Sequence, residues 1–197
     1  MDNFLEKIDQ AIVLTINGWH TPFLDEIMWI ISSKLVWIPF YLFLIYLAAK
    51  KNTFKQTVFF TLLAILSVAL SDLISTYCFK EVFQRYRPSH NLLLTEKLHF
   101  YESKPGEFYR GGQFGFISSH AANFFAIAVF VGYSLKAFYP KLLTTLIIIA
   151  VIVCFSRIYL GVHYLSDVFV GGLVGTTIAL LLSKLIFSRF RENSNLK

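Results

Sequence analysis

The sequence predicts an all-α membrane protein: a polytopic helical bundle of about five transmembrane helices, preceded by N-terminal interfacial amphipathic helices. Three observations lead there. Of the 197 residues, 56% are hydrophobic and only 15% charged, and mean hydropathy is +0.60; soluble domains carry about a quarter charged residues. A core of this size cannot absorb so much apolar surface, so the excess faces lipid. Next, five segments are apolar over the roughly 17–25 residues that a membrane-crossing helix needs: about 34–50, 56–79, 114–138, 140–160 and 163–187. Finally, one long polar stretch, 80–113, interrupts them with Pro88, Pro105, Gly106, Gly111 and Gly112, and a loop of that length inside a compact protein commonly carries function.

The whole chain reads as a single membrane domain. Residues 1–33 form interfacial helices, 34–187 the bundle with its long loop at 80–116, and 188–197 a tail. Within 3–17, Phe4, Leu5, Ile8, Ile12 and Ile16 make one helical stripe opposite polar residues, as in a helix lying at the membrane surface. Gly18 and Pro22 bracket a turn. A second short helix over 23–32 has Asp25 and Glu26 in its first turn, where the helix dipole favours acids. Trp29 and Trp37 flank the first span as interfacial anchors, and Pro39 falls in its first turn, where proline is tolerated. Gly171 and Gly175 form a GxxxG pair that permits close helix packing. Asp2, Glu6 and Asp9 stand where a cleavable signal would be basic, so insertion is expected to rely on the spans.

The net charge of +6 does not point to nucleic acid, because the basic residues are scattered or sit at span ends rather than in a stripe. Anionic headgroups or a phosphorylated ligand account for the sign better. Cys78 and Cys154 are far apart in apolar surroundings and form no metal or redox pattern; both read as small buried residues.

Three polar clusters fall where an antiparallel bundle returns to one membrane surface. Lys80, Arg87 and Pro88 follow the second span, Ser118, Ser119 and His120 open the third, and Ser156, Arg157, His163 and Asp167 cross the junction of the fourth and fifth. Lys80, Arg87 and Arg157 can neutralise phosphoryl oxygens. The start of a helix at Ser118–Ser119–His120 offers backbone N–H groups to an anion. His163 and Asp167, four apart on a helix, would share a face, so the carboxylate can fix the imidazole tautomer. A second histidine, His120, can protonate a leaving oxygen. Phosphoryl transfer needs mainly such positioning and charge stabilisation.

Lys80–x6–Arg87–Pro88, Ser118–Ser119–His120 and Ser156–Arg157–x5–His163–x3–Asp167 together resemble, in order and spacing, the three-part signature of the type-2 phosphatidic acid phosphatases, which they share with vanadium haloperoxidases. The resemblance covers about residues 54–185. It implies a metal-free, cofactor-free phosphatase of lipid phosphates or pyrophosphates that works through a phosphohistidine. His163 would be the nucleophile, Asp167 its support and His120 the general acid. Lys80, Arg87, Arg157, Ser118 and Ser119 would hold phosphate. The middle motif, usually Pro-Ser-Gly-His, here reads Ile117-Ser118-Ser119-His120, which adds a side chain near the phosphate and removes no catalytic group.

Asp72 lies inside a span, where an ionised side chain costs at least about 2.5–3.5 kcal/mol; it is expected to be a buried partner of a serine or a site cation. Ser156 is expected to pack beside Arg157. His90 and His99 read as solvated loop residues, and Arg85, Lys97 and Arg110 as solvated or headgroup-contacting. The eighteen Lys and Arg residues divide evenly between the two membrane faces. With Lys80, Arg87 and Arg157 set aside, the balance favours a cytoplasmic C-terminus, hence an active site on the extracytoplasmic side of a plasma (inner) membrane. The expected partners are membrane lipids and a phosphorylated lipid substrate, with undecaprenyl pyrophosphate, phosphatidylglycerol phosphate, phosphatidic acid and lipid A phosphates as candidates. A haloperoxidase is disfavoured because the resembling peroxidases are soluble. A non-catalytic transporter of phosphorylated solutes would not need His163, Asp167 and His120.

Overall fold

The computed structural model describes the backbone of residues 4–195 and the side chains of 4–191; Asp2 and the last two residues of the tail lie outside the described residues. The helices are α1 (Phe4–Asn17), α2 (Pro22–Ser32), α3 (Ile38–Ala49), α4 (Phe54–Leu73), α5 (Glu81–Phe83), α6 (Ser119–Ser134), α7 (Leu142–Tyr159), α8 (Leu165–Leu181) and α9 (Ser188–Asn195). A small antiparallel hairpin, β1 (Glu102–Lys104) and β2 (Glu107–Phe108), lies in the long loop.

Among the described residues, three helices are long and apolar enough to cross a membrane: Phe54–Phe83, Leu142–Tyr159 and Leu165–Arg191. A fourth crossing is available if Pro22–Ser32 and Leu35–Ala49, bent by 66°, act as one span. The segment expected over 114–138 is shorter. Ser118 caps α6 by accepting the Ala121 N–H at 3.4 Å, and residues 114–117 are spent on loop contacts such as Gly115 N–H to the Arg85 carbonyl at 2.9 Å. The 16 residues of α6 rise about 24 Å, less than a typical hydrocarbon core of about 30 Å. Helix α6 is instead the centre of the bundle, packed against α4, α7 and α8.

Two local choices shape the bundle around the site. Helix α4 begins with a reciprocal capping box: Thr53 Oγ1 accepts the Gln56 N–H and Gln56 Oε1 accepts the Thr53 N–H. It then loosens into a π-helical stretch, Ile74–Lys80, and stops at Gln84, whose φ of 47° is left-handed. A π turn within an α-helix commonly marks a functional position, and here it carries Lys80. Between α6 and α8, Gly171 and Gly175 let the backbones meet: a Cβ on Gly175 would lie 2.0 Å from the Ala122 carbonyl oxygen, and one on Gly171 2.6 Å from that of Ser118. The GxxxG pair therefore sets the depth at which the two motif-bearing helices dock.

Helix α1 presents two distinct faces. Its inward face is Asp9, Val13 and Asn17, all buried, while Phe4, Leu5 and Ile8 of the apolar stripe are exposed. Ile12 and Ile16 pack partly against the buried clusters. The polar side of the helix faces protein because Asp9 and Asn17 have partners there. Cys78 is likewise exposed rather than buried, whereas Cys154 is buried as expected.

Replacing Gly175 by alanine is expected to destabilise the bundle by about 1–3 kcal/mol, the usual cost of overpacking. That corresponds to roughly 2–4 °C per kcal/mol in a domain of this size. Gly112→Ala, where a Cβ meets nothing within 4 Å, should leave the melting temperature in detergent unchanged.

Candidate active site

The three sequence clusters converge on one cavity of about 850 Å³. Its polar end is lined by Lys80, Arg87, Ser119, His120, Arg157 and His163, and its apolar end by residues of α3, α4 and α6 such as Leu44, Phe60, Val68 and Ile127.

His163 sits in the short connection between α7 and α8, which turns on Gly161 at φ 68°. It is 1% exposed. The i, i+4 reasoning reached the correct partner by a different route, since His163 precedes the helix. Asp167 is in the first turn of α8, and its Oδ2 accepts the Tyr164 N–H at 3.0 Å. The same oxygen lies 3.3 Å from His163 Nδ1. On the other side of the ring, Nε2 lies 3.2 Å from Arg87 Nη1. A guanidinium only donates, so Nε2 is the unprotonated nitrogen and Nδ1 carries the proton toward Asp167. Burial, then the charges of Arg87 and Arg157, hold the His163 imidazolium well below its ordinary range, which keeps the ring neutral and its Nε2 lone pair available.

Arg87 is fixed by Nε to the Phe114 carbonyl at 3.1 Å and by Nη1 to that of Val162 at 3.3 Å. Two glycines cradle it: a Cβ on Gly111 would lie 2.8 Å from Nη1 and one on Gly115 2.9 Å from Cγ. Burial first, then Arg157, push the Arg87 guanidinium down to about 10. Two buried guanidiniums near each other favour an anion between them. Arg157, 2% exposed, donates to the Ser32 hydroxyl and, at 2.9 Å, to the Tyr109 hydroxyl. Its Nε is buried without a partner among the described residues. Lys80 Nζ donates to Ser119 Oγ, and that hydroxyl bonds Ser75 at 3.2 Å.

Not every expected residue faces the cavity. Ser118 is fully buried; its hydroxyl caps α6 and its N–H donates to the Asp167 carbonyl at 3.0 Å. Ser156 packs as expected, with its hydroxyl on the Val153 carbonyl at 2.7 Å. Asp72 lines the cavity but is exposed rather than buried, and no hydrogen bond engages its carboxylate among the described residues. His99 is not a solvated loop residue: it bonds Asp25 at 2.9 Å and stacks on His20 at 4.0 Å. Arg110 lies over the Phe100 ring and bonds Thr95, while Lys97 is exposed. Arg85 is only partly exposed and pairs with Asp9 and Asp167. Sequence reasoning missed Lys34, Tyr109 and Ser32 around the cavity; they lie outside the motifs and only the fold brings them in.

The apolar bundle and its cationic pocket are those of an integral-membrane lipid phosphatase. The chain belongs to the PAP2 superfamily, whose family model matches residues 60–191. It is 34% identical over 191 residues to a protein named lipid A 4'-phosphatase from Porphyromonas gingivalis, covering 95% of this chain and 77% of that one. It is 30% identical over 177 residues to one of the same name from Bacteroides thetaiotaomicron, covering 89% and 75%. The fold is similar to that of the transmembrane PAP2-type phosphatidylglycerolphosphate phosphatase from Bacillus subtilis (TM-score 0.69, 23% identity, 97% of this chain and 88% of that one). It is also similar to Aquifex aeolicus LpxE (TM-score 0.60, 24% identity, 88% and 93%).

Gly111→Ala should dislodge Arg87, both through its positive φ of 66° and through the clash at Nη1. We expect the inhibition constant for vanadate, a phosphate mimic, to rise roughly tenfold, about 1.4 kcal/mol. Gly106→Ala also sits at positive φ but has open space around it, so its vanadate inhibition should match the parent.

Proposed function

We propose that this membrane lipid phosphatase removes a phosphate monoester from a bacterial envelope lipid, and that the 4'-phosphate of lipid A is its substrate. The observation that carries this reading is the continuity of one cavity from the cationic pocket to an apolar channel between α3, α4 and α6. A phosphate can enter the first while acyl chains occupy the second. The choice of lipid A over polyprenyl pyrophosphates or glycerophospholipids rests on the two relatives that bear that name and align along most of this chain.

In the proposed mechanism His163 Nε2 attacks phosphorus. The incoming phosphate takes over the Arg87 guanidinium, freeing the lone pair, and Lys80, Arg157 and Ser119 bind its oxygens. As the N–P bond forms the P–O bond to the lipid breaks, and His120, which takes up a proton once the phosphate dianion offsets the surrounding cations, gives it to the leaving alkoxide. Asp167 stabilises the His163 cation at Nδ1. Water, deprotonated by His120, then attacks the phosphohistidine and releases inorganic phosphate and neutral His163. Ser118 contributes by capping α6, which holds Ser119 and His120 at the pocket. With Lys80, Arg87 and Arg157 set aside as site residues, the remaining basic residues favour the opposite face, which supports placing the pocket on the extracytoplasmic side of the plasma membrane.

The test is phosphate release by purified protein from lipid A 4'-phosphate, undecaprenyl pyrophosphate, phosphatidylglycerol phosphate and phosphatidic acid. Lipid A should be turned over fastest; a preference for another lipid overturns the substrate. His163→Ala should lose at least about 10³-fold in kcat and His120→Ala about 10²–10⁴-fold. Wild-type turnover by His163→Ala would reject the mechanism.

A further inference from the structure

Arg85 belongs to none of the three motifs and does not line the cavity, yet it is the cation bonded to Asp167. Its Nη1 is 3.1 Å from Asp167 Oδ1 and 2.7 Å from Ser166 Oγ, and its Nη2 is 2.8 Å from Asp9 Oδ2. The guanidinium also lies over the Tyr164 ring, 4.2 Å from its centroid. Asp9 closes the cluster: its Oδ1 accepts the Ser166 N–H at 2.9 Å and its Oδ2 the Ser166 hydroxyl. Asp9 is 4% and Asp167 0% exposed, so these contacts are sheltered from water on the carboxylate side.

We propose that Arg85 and Asp9 are positioning residues for the nucleophile: Asp9 on α1 holds the Arg85 guanidinium, and Arg85 holds the Asp167 carboxylate against His163. The geometry requires a second anchor. Asp167 Oδ2 is shared between the Tyr164 N–H and His163 Nδ1. A carboxylate held through one oxygen can still rotate about its Cβ–Cγ bond and slide off the imidazole. Arg85 on Oδ1 stops that rotation. The guanidinium bridges two buried acids, and removing it would leave both uncompensated, which is costly in a sheltered site. Arg85 is itself aimed by Asp9 and by the Tyr164 face. Docking of α1, which is remote in sequence from the motifs, thus reaches the catalytic histidine through three side chains.

This inference rests on His163 and Asp167 acting as proposed above, and the two can fail separately. Full-length Arg85→Gln, Arg85→Lys, Asp9→Asn and Asp167→Asn are compared in detergent with the lipid turned over fastest in the panel. Arg85→Gln should lower kcat about 10–100-fold and Asp9→Asn by less. KM and the vanadate inhibition constant should not change, because Lys80, Arg87 and Arg157 are untouched. Arg85→Lys, which keeps the charge, should recover part of the loss. In the Asp167→Asn background, Arg85→Gln should cause no further fall in kcat, since there is no carboxylate left to hold. The proposal is overturned if Arg85→Gln turns over at the parental rate. It is equally overturned if the same loss persists in the Asp167→Asn background, or if vanadate inhibition weakens in step with kcat, which would make Arg85 a phosphate ligand. Should Arg85→Gln fail to fold, Asp9→Asn in both backgrounds decides by the same criteria. A parental rate for Asp167→Asn would instead reject the reading of the His163–Asp167 pair.

Discussion

The structure turns on one carboxylate. Asp167 ends four separate relationships: it caps Tyr164, orients His163, pairs with Arg85 and, through its backbone carbonyl, receives the Ser118 N–H at the start of α6. Both halves of the polar site therefore hang from one residue in the first turn of α8. A fully buried acid would be costly to leave uncompensated, and the three bonds to its carboxylate oxygens offset part of that cost. The glycine contacts between α6 and α8 serve the same end, because the Ser118–Asp167 bond can form only where the two backbones approach closely.

Charge in the pocket is deliberately unbalanced. Arg87, Arg157, Lys80 and Lys34 line a cavity whose one acidic side chain, Asp72, is on α4. The buried Nε of Arg157 has no partner among the described residues. A buried donor without an acceptor is unfavourable, and an anion would remove the penalty. Arg87 illustrates the exchange: it donates to Nε2 of His163, the nitrogen proposed to attack, and a phosphate would compete it away. In the proposed mechanism this exchange frees His163 only when the phosphate arrives.

The motifs were readable because phosphoryl chemistry demands particular residue types at fixed offsets from helix ends. His120, His163, Lys80, Arg87 and Arg157 all reach one cavity as the span order implies. Their supports were not readable. Ser32, Tyr109 and Arg85 are ordinary polar residues until the chain brings α2, the long loop and α8 together. Helix α1 shows what periodicity leaves open: it gathers Phe4, Leu5 and Ile8 on one stripe, which is exposed, but does not say that the opposite face carries Asp9 and Asn17 into buried polar contacts. The third span was overlong for a related reason, since apolar loop residues such as Phe114, Phe116 and Ile117 score like helix in a hydropathy window.

By itself the sequence determined the class of protein, the apolar bundle and most of the polar residues that line the cavity, because composition and motif spacing are local properties. The tertiary structure decided which carboxylate oxygen faces which donor, that His163 precedes rather than joins its helix, and that α1 reaches Asp167 through Arg85. Those are contacts between segments distant in the chain, fixed by how closely α6 and α8 can pack, and no local pattern encodes them.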